Sequence, residues 1–244
     1  EKVSVGASES MSKSKKNTID PEEMIKNYGA DAVRLFILSD SPPEKDVQWS
    51  EQGMLASYKF IQKFWLLHQS IKEKLSIEID ELSSKDELEF LQFVNQSINK
   101  ITKNLENFHY NVIVANFHET YNFLTNILKK PIDKNILQEN YLKILKIMSP
   151  VIPHLTSECM EDLDGKIDIS WPEVDKKYLD KKNIQIVVQI NGKKRGLIDA
   201  NRDLDEKQII NNIKSIPLYE KYFNNTKIIR CVYIKDRLIN LIIK

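Results

Sequence analysis

Hydrophobic residues recur every three or four positions along four successive stretches between about residues 50 and 150. This spacing is that of amphipathic α-helices, each with one apolar stripe. Because short connections separate the stretches, we predict an antiparallel helical bundle, with a further short helix from Pro153 to about Leu163. The stripes, which we interpret as core, comprise Leu55, Tyr58, Ile61, Phe64, Trp65, Leu67 and Ile71; Leu88, Leu91, Val94, Ile98, Ile101, Leu105 and Phe108; Val114, Phe117, Tyr121, Leu124 and Leu128; and Leu137, Tyr141, Ile144 and Met148.

Two short helices are predicted ahead of the bundle. Asp20 as N-cap and Pro21 at the first helical position begin one helix of about two turns. Asp31 can cap a second helix over residues 32–38, which the prolines within 41–43 bring to an end.

At residue 184 the hydrophobic period changes from helical spacing to strict alternation of β-branched residues, which predicts a strand to residue 190. The Asn191-Gly192 pair that follows is a strong hairpin signal, because both turn positions require positive φ. The remaining predicted elements are a return strand over 194–199, a helix capped by Asp203 or Asp205 that ends at Ile213, a short helix over 217–223, and strands over 227–234 and 238–243 joined by a turn at 235–237. The fold class is therefore mainly α, a helical bundle followed by a compact C-terminal α+β domain.

These patterns divide the chain into four parts. They are residues 1–49 with a polar loop and the two short helices, 50–163 as the helical bundle, 164–183 as a linker, and 184–244 as the α+β domain. The linker contains two lysine pairs, and a polar tether of this kind allows almost any angle between its flanking domains. The chain begins with Glu1 and strand-like residues 2–5, from which we expect it to be the C-terminal piece of a longer protein.

Charge is distributed unevenly along the chain. Residues 1–183 carry 24 Lys and Arg against 29 Asp and Glu, whereas residues 184–244 carry 12 against 6. A basic terminal domain indicates a polyanionic partner. The candidate nucleic-acid contacts are Lys193, Lys194, Arg195, Arg230, Lys235 and Arg237. Protection of sheet edges against aggregation explains the same lysines equally well.

The polar loop over residues 10–17 alternates serine with lysine and has no apolar periodicity. Hydroxyls and ammonium groups are suitable donors to a polyphosphate. Taken alone, however, a short basic run is more often a solvated arm.

Other chemistries find little support in the sequence. The four histidines do not stand with Cys, Asp or Glu at zinc-ligand spacing, so we predict no metal site. Cys159 and Cys231 are far apart, and the sequence shows neither a signal peptide nor an apolar run long enough to span a membrane. We therefore expect a cytoplasmic protein without a membrane partner.

Several segments together resemble the C-terminal third of bacterial-type leucyl-tRNA synthetases, a family of class I aminoacyl-tRNA synthetases. Residues 11–17 read Met-Ser-Lys-Ser-Lys-Lys-Asn and, with Ile-Asp-Pro at 19–21, are similar to the Lys-Met-Ser-Lys-Ser loop of that class. Residues 28–36 are similar to the segment that follows the loop in this class. The segments that narrow the resemblance to the leucyl type are 41–49, 170–172 and, above all, 187–196 with its Asn-Gly-Lys-Lys-Arg-Gly sequence.

The resemblance implies a leucine–tRNA ligase, which activates leucine with ATP to leucyl-adenylate and transfers it to tRNA-Leu. It implies that Met11, Ser12, Lys13 and Ser14 contact ATP, a substrate that Mg²⁺ accompanies, and that Lys13 is catalytic because it stabilises the departing pyrophosphate. By the same resemblance residues 1–49 end the catalytic core, the bundle is an anticodon-binding-type domain that docks on the tRNA body, and the C-terminal domain reaches the outer corner of the tRNA. The enzyme would be a monomer, and these residues alone would be inactive.

The loop departs from the family pattern at one position, since Ser10 stands where the first lysine is expected. Lys15 and Lys16 are the candidates to replace that charge. Three alternative interpretations remain open: a non-catalytic RNA-binding module, the equivalent region of a valyl-, isoleucyl- or methionyl-tRNA synthetase, and a plain helical scaffold.

Overall fold

The structure, a computed structural model, describes residues 9–78, 82–179, 183–202, 204–223, 226–235 and 237–244. The chain divides into two compact units, Glu1–Tyr178 and Leu179–Lys244, and the structure describes only the residues of each that fall in these ranges. The strand-like residues 2–5, the second linker lysine pair at 181–182, the alternative cap Asp203 and the turn residue Asp236 lie outside the described residues.

The first unit is helical in its described part. Its helices are α1 (Pro21–Tyr28), α2 (Ala30–Asp40), α3 (Glu51–Leu75), α4 (Ser84–Glu106), α5 (Tyr110–Ile127), α6 (Lys134–Met148) and α7 (Pro153–Asp164), and a 3-10 turn follows at Lys176–Tyr178. Local caps set several starts, because Ser50, Ser83 and Asp133 each accept a hydrogen bond from the first turn of the helix that follows. The predicted helices are present, and a mainly α fold is confirmed.

The core of this unit is formed by one face of each long helix. Phe64, Phe90, Phe117 and Tyr141 are fully buried there. The predicted stripes were wrong at their ends: Leu55 and Leu88 are 42% and 47% exposed, and Phe108 lies beyond the end of α4 at 60% exposure. A stripe drifts around a 3.6-residue helix, so a spacing of three or four holds the direction only over a few turns.

A smaller apolar cluster joins α2 to the start of α3. Ala32, Phe36 and Met54 are buried in it. Gly53 is required for this approach, because a Cβ at that position would lie 2.7 Å from Cε2 of Phe36. The two short helices are thus part of the same packed unit as the bundle.

The segment expected to be a linker lies, over residues 166–178, against the bundle. Trp171 Nε1 donates to Thr102 Oγ1 of α4 at 2.9 Å. Lys146 of α6 donates to the Asp168 carboxylate at 2.5 Å, and this ammonium holds the pKa of Asp168 well below its usual range. The structure therefore differs from the prediction of a free tether, because specific side-chain contacts attach these residues to α4 and α6.

The second unit is a four-stranded sheet with helices on one face. Its elements are β1 (Asn183–Ile190), β2 (Lys193–Asn201), α8 (Glu206–Lys214), α9 (Pro217–Glu220), β3 (Ile228–Ile234) and β4 (Leu238–Ile243). The strand order is β2-β1-β4-β3, with β4 parallel to β1 and the outer pairs antiparallel. Alternate strand residues and the inner faces of the helices form its core, which contains Ile186, Val188, Ile190, Ile198, Ala200, Ile209, Ile213, Tyr219, Ile239 and Leu241.

Both predicted signals in this unit are present. Asn191 and Gly192 have φ of +51° and +76°, as the hairpin turn requires. Asp205 caps α8 in a reciprocal capping box with Gln208. The turn also contacts the far strand: the Asn191 side chain accepts from the backbone N of Ile243 at 2.9 Å and donates to its carbonyl at 3.3 Å.

Candidate functional site

The serine–lysine loop folds into two overlapping turns closed by a side chain. The backbone N of Lys15 donates to the Ser12 carbonyl, and that of Lys16 donates to the Lys13 carbonyl, both at 3.2 Å. The amide oxygen of Asn17 accepts from the backbone N of Ser12 at 2.9 Å. The loop is therefore a compact turn with its lysine side chains directed outward, and not an extended arm.

The polar groups on this turn differ in how they are paired. Ser12 Oγ and Ser14 Oγ lie 3.1 Å apart, so one can donate to the other. Lys15 forms an ion pair with Glu9 at 2.9 Å. Lys13 is exposed, and no carboxylate of the described residues lies within salt-bridge distance of it. Lys13 is thus a cation available to an incoming anion; its catalytic role stays a prediction.

An open cleft of about 780 Å³ separates this loop from the segment that leads into α3. The ring of Trp49 forms part of its wall and is held by Phe36 of α2, with the ring centroids 5.2 Å apart. The other lining residues are Glu9, Ser10, Met11, Asn17, Asp46, Val47 and Gln48. Ser10, where a lysine was expected, therefore faces the cleft, and the neighbouring Lys15 is already engaged by Glu9.

Two side chains of α2 bind the junction between α6 and α7, an arrangement that we call the α2 clamp. Asp31 is only 5% exposed and accepts from the backbone N of Leu155 at 2.7 Å and of His154 at 3.3 Å. The His154 ring Nδ1 lies 2.8 Å from the same carboxylate. Arg34 donates to both carbonyls of residues 150–151, at 2.7 and 3.0 Å. The clamp joins the segment after the loop to the end of the bundle.

Sequence reasoning placed Asp31 at the N-cap of α2, and this was wrong. Helix α2 begins at Ala30 after Gly29, without a side-chain cap. Asp31 instead satisfies the N-terminus of α7, which follows Ile152, a residue with no capping side chain. The absence of a capping side chain before α7 is the sequence signal that could have indicated a carboxylate from a distant part of the chain.

In the second unit the strand register separates the six predicted nucleic-acid contacts. Lys193, Lys194 and Arg195 lie where the β1–β2 turn adjoins the end of β4. Arg230 pairs with Ile242 and so lies toward the same end of the sheet. Lys235 and Arg237 flank the β3–β4 turn at the start of β4, which the parallel register places at the opposite end.

Further cations extend the basic end of the sheet. The backbones of Lys227 and Lys244 pair with each other there, at 2.9 and 3.1 Å. The described strand residues 189–195, 227–231 and 240–244 include no carboxylate side chain. The strand register thus brings cations from three segments to this end of the sheet, which sequence order alone does not reveal. The Glu206 carboxylate of α8 lies beside Cys231 of β3, where burial and this carboxylate raise the pKa of that thiol, so the positive surface is interrupted there.

Aromatic rings beside this end hold three cations, of which the sequence had indicated only one. Arg195 lies over Tyr222, with its guanidinium carbon 5.0 Å from the ring centroid, and the ammonium of Lys221 lies 5.2 Å from the same centroid. The ammonium of Lys214 lies 5.9 Å from the centroid of Phe223. Tyr222 was missed because nothing in its local pattern indicates that it meets Arg195 of β2, and Lys214 and Lys221 were missed because their ring contacts have no sequence signal of their own.

A buried polar cluster in the bundle has a structural role. The ring of His68 is fully buried, with Nε2 3.0 Å from the Asp162 carboxylate and Nδ1 3.2 Å from the Tyr141 hydroxyl. Burial lowers the pKa of His68, and Lys72 and His68 hold the pKa of Asp162 down at about 2. These groups join α3, α6 and α7, with His68 and Tyr141 buried and Asp162 partly exposed.

The residues that the structure describes include no cluster of three or more His, Cys, Asp or Glu placed to hold a metal ion. Among the helices described, none is long and apolar enough to cross a membrane.

Comparison with known proteins yields two family matches. Residues 4–50 match the model of tRNA synthetases class I (I, L, M and V), and residues 87–210 match the anticodon-binding domain of tRNA ligase. The second match alone spans half of the chain.

Curated relatives and one solved structure match over nearly the whole chain. The leucine–tRNA ligase of Orientia tsutsugamushi is 33% identical over 246 residues, covering 99% of this chain and 28% of the relative. That of Petrotoga mobilis is 35% identical over 248 residues, with coverage of 96% and 30%. A LeuRS from Agrobacterium radiobacter K84, solved as a ternary complex with tRNA and LeuAMS, shares the fold with a TM-score of 0.77 at 24% identity, covering 96% of this chain and 31% of that one. The chain spans less than a third of the length of each.

Proposed function

The chain belongs to the class I tRNA ligases that carry this anticodon-binding domain, and from this membership we propose that it is the C-terminal part of a leucine–tRNA ligase. The observation that carries the proposal is the match to leucine–tRNA ligases over 96–99% of the chain, from the loop to the final sheet. In the complete protein the reaction would be activation of leucine with ATP and transfer of the leucyl group to tRNA-Leu, in the cytoplasm and by a monomer.

The loop's part in this reaction is electrostatic. Lys13 is exposed on a compact turn beside an open cleft and lacks a carboxylate partner in the described region, so its charge is available to pyrophosphate oxygens. Met11, Ser12 and Ser14 lie on the same turn and would contact ATP, whose phosphates Mg²⁺ would accompany. A cation placed where negative charge develops lowers the barrier, and one such group contributes about 2.7–4 kcal/mol.

A Lys13→Ala variant of the full-length protein tests this role. We expect leucine-dependent ATP–pyrophosphate exchange to lose about 10²–10³ in kcat, because the developing charge loses its cation. Lys26→Ala is the control, since Lys26 is an exposed lysine in the last turn of α1, outside the loop, and forms no salt bridge with a described carboxylate. Unchanged exchange in the Lys13 variant would contradict the assignment.

The isolated 244-residue chain tests the division of labour. We expect it to catalyse no leucine-dependent exchange, because it spans less than a third of its relatives. We expect it to bind tRNA-Leu with an affinity that falls as salt rises, because the second unit carries twice as many cationic as acidic residues. If the full-length protein bound tRNA but lacked exchange, the alternative of a non-catalytic RNA-binding module would replace this proposal.

A further inference from the structure

An irregularity in the β1–β2 ladder redirects one of the basic side chains. Val188 pairs with Gly196 and Gln189 pairs with Lys194, so Arg195 is an extra residue opposite no partner. Such a bulge turns a side chain away from the direction that regular alternation would give it. Arg195 consequently reaches the ring of Tyr222, beyond α9, while Lys194 stays in register.

The residue after the bulge fits against the same helical segment. A Cβ at Gly196 would lie 2.4 Å from the hydroxyl oxygen of Tyr219. That hydroxyl is buried and has no hydrogen-bond partner among the described groups. The close approach of the Gly196 backbone to Tyr219 therefore fixes where the bulge lies relative to Tyr222.

Two like charges share one ring at this position. Arg195 and Lys221 each lie about 5 Å from the Tyr222 centroid, so they are at most about 10 Å apart, which is one Debye length at 0.1 M salt. In the described part of the chain, neither forms a salt bridge with a carboxylate. Lys214 adds a third cation at the adjacent Phe223. Gathering cations without a counter-charge costs free energy unless an anion binds between them.

We propose that Arg195, Lys221 and the ring of Tyr222 form a phosphate-binding site, which we call the phosphate-binding corner. This corner contacts the sugar–phosphate backbone of the bound tRNA. The ring holds the guanidinium and the ammonium in fixed positions, and the planar guanidinium can donate two hydrogen bonds to one phosphate group. The corner rests on the proposed tRNA-binding function and specifies where in the second unit the backbone is held. Lys193 and Lys194, at the hairpin turn, then add general positive potential without a fixed phosphate.

The test measures the affinity of the 244-residue chain for a tRNA-Leu transcript across a series of salt concentrations. We expect the double variant Arg195→Ala/Lys221→Ala to bind about tenfold more weakly at about 0.1 M salt and to lower the slope of log affinity against log salt by about 2. Lys207→Ala is the matched control, because Lys207 is an exposed lysine on α8 and has no ring contact in the described structure. It removes one charge from the same unit and should leave the slope nearly unchanged.

A second pair of variants tests the ring itself. Tyr222→Phe keeps the aromatic face and should retain the affinity, whereas Tyr222→Leu should lose about as much as the double variant, provided that its circular dichroism is that of the unmodified chain. A parallel titration with inorganic phosphate distinguishes a site for free phosphate from a site for the RNA backbone. We expect millimolar phosphate to compete weakly with tRNA for the unmodified chain. We expect it to leave tRNA binding by the double variant unaffected.

The outcomes distinguish the corner from the function on which it rests. If the unmodified chain binds tRNA with a steep salt dependence and the double variant matches it in affinity and slope, the corner is refuted and the proposed function stands. If the unmodified chain shows no salt-dependent binding of tRNA, the proposed function fails and the corner fails with it.

Discussion

Replacing Asp31 by alanine removes the carboxylate of the α2 clamp and tests whether the loop segment and the bundle fold as one unit. In the structure this carboxylate accepts from two backbone N–H groups at the start of α7, of which that of Leu155 is buried and only 2.7 Å away. After substitution, neither N–H has a replacement partner within α7, because Ile152 at the N-cap has no capping side chain.

The expected magnitude follows from these two bonds. Loss of an N-cap costs about 1 kcal/mol, and a buried N–H left without a partner costs a further 1–3 kcal/mol or so, which gives about 2–4 kcal/mol for Asp31→Ala. With a urea m-value of about 2 kcal/mol per molar, the unfolding midpoint falls by about 1–2 M. Asp31→Asn keeps the shape and one acceptor oxygen, so we expect about half of that loss.

Tryptophan fluorescence during urea unfolding is the suitable assay. All three tryptophans, Trp49, Trp65 and Trp171, belong to the first unit, so the signal reports on that unit alone. Asp133→Ala is the matched control, because Asp133 caps α6 locally, with its carboxylate 2.9 and 3.1 Å from two backbone N atoms. We expect about 1 kcal/mol there. A midpoint for Asp31→Ala no lower than that of Asp133→Ala would refute the reasoning.

Three further predictions concern other parts of the chain. Gly196→Ala should destabilise the second unit by about 1–3 kcal/mol through its clash with Tyr219, and adding Tyr219→Phe should recover most of the loss; amide hydrogen exchange of β1 and β2 measures both, and no recovery would contradict the clash. The first unit should lose stability as the pH falls below about 6.5, because burial lowers the pKa of His68 in the folded state and the unfolded chain then binds more protons. Urea unfolding midpoints at pH 7 and pH 5 measure this loss. A His68→Gln variant whose midpoint depends on pH as strongly as that of the unmodified chain would count against the role of His68. Gly192→Ala and Gly165→Ala place alanine at φ of +76° and +67°, so each should cost about 1–2 kcal/mol in its own unit; hydrogen exchange and tryptophan fluorescence respectively detect the loss, and unchanged stability in either would oppose the strain argument.

The helices and the hairpin were predictable because their signals are local. A hydrophobic period sustained over several turns, with Ser50 or Asp133 before it, specifies a helix and places its first residue to within about two positions. Asn191 and Gly192 likewise specify the turn through their own backbone preferences. Such features need no knowledge of what else the chain contacts.

What could not be predicted depends on contacts between distant residues. The role of Asp31 is set by α7, 124 residues further along the chain at Leu155. The attachment of Trp171 to Thr102 bridges 69 residues, and a polar composition conceals it. In the candidate site, Lys13 could be named from its motif, whereas the pairing of Arg195 with Tyr222 follows from a one-residue bulge that composition and periodicity do not encode.

The contact between Asn191 and Ile243 has a consequence for the order in which the second unit folds. The β1–β2 hairpin is local and can form within microseconds, whereas β4 must return to β1 across roughly fifty residues before it gains any contact. Asn191 offers both polar atoms of its amide to the backbone of Ile243, so the finished turn acts as a template that selects the register of the arriving strand. We therefore expect pulse-labelled amides to become protected first in the hairpin and later in β4, and simultaneous protection would contradict this order. The β1–β2 turn, which forms locally, thereby assists the slower pairing of β1 with β4.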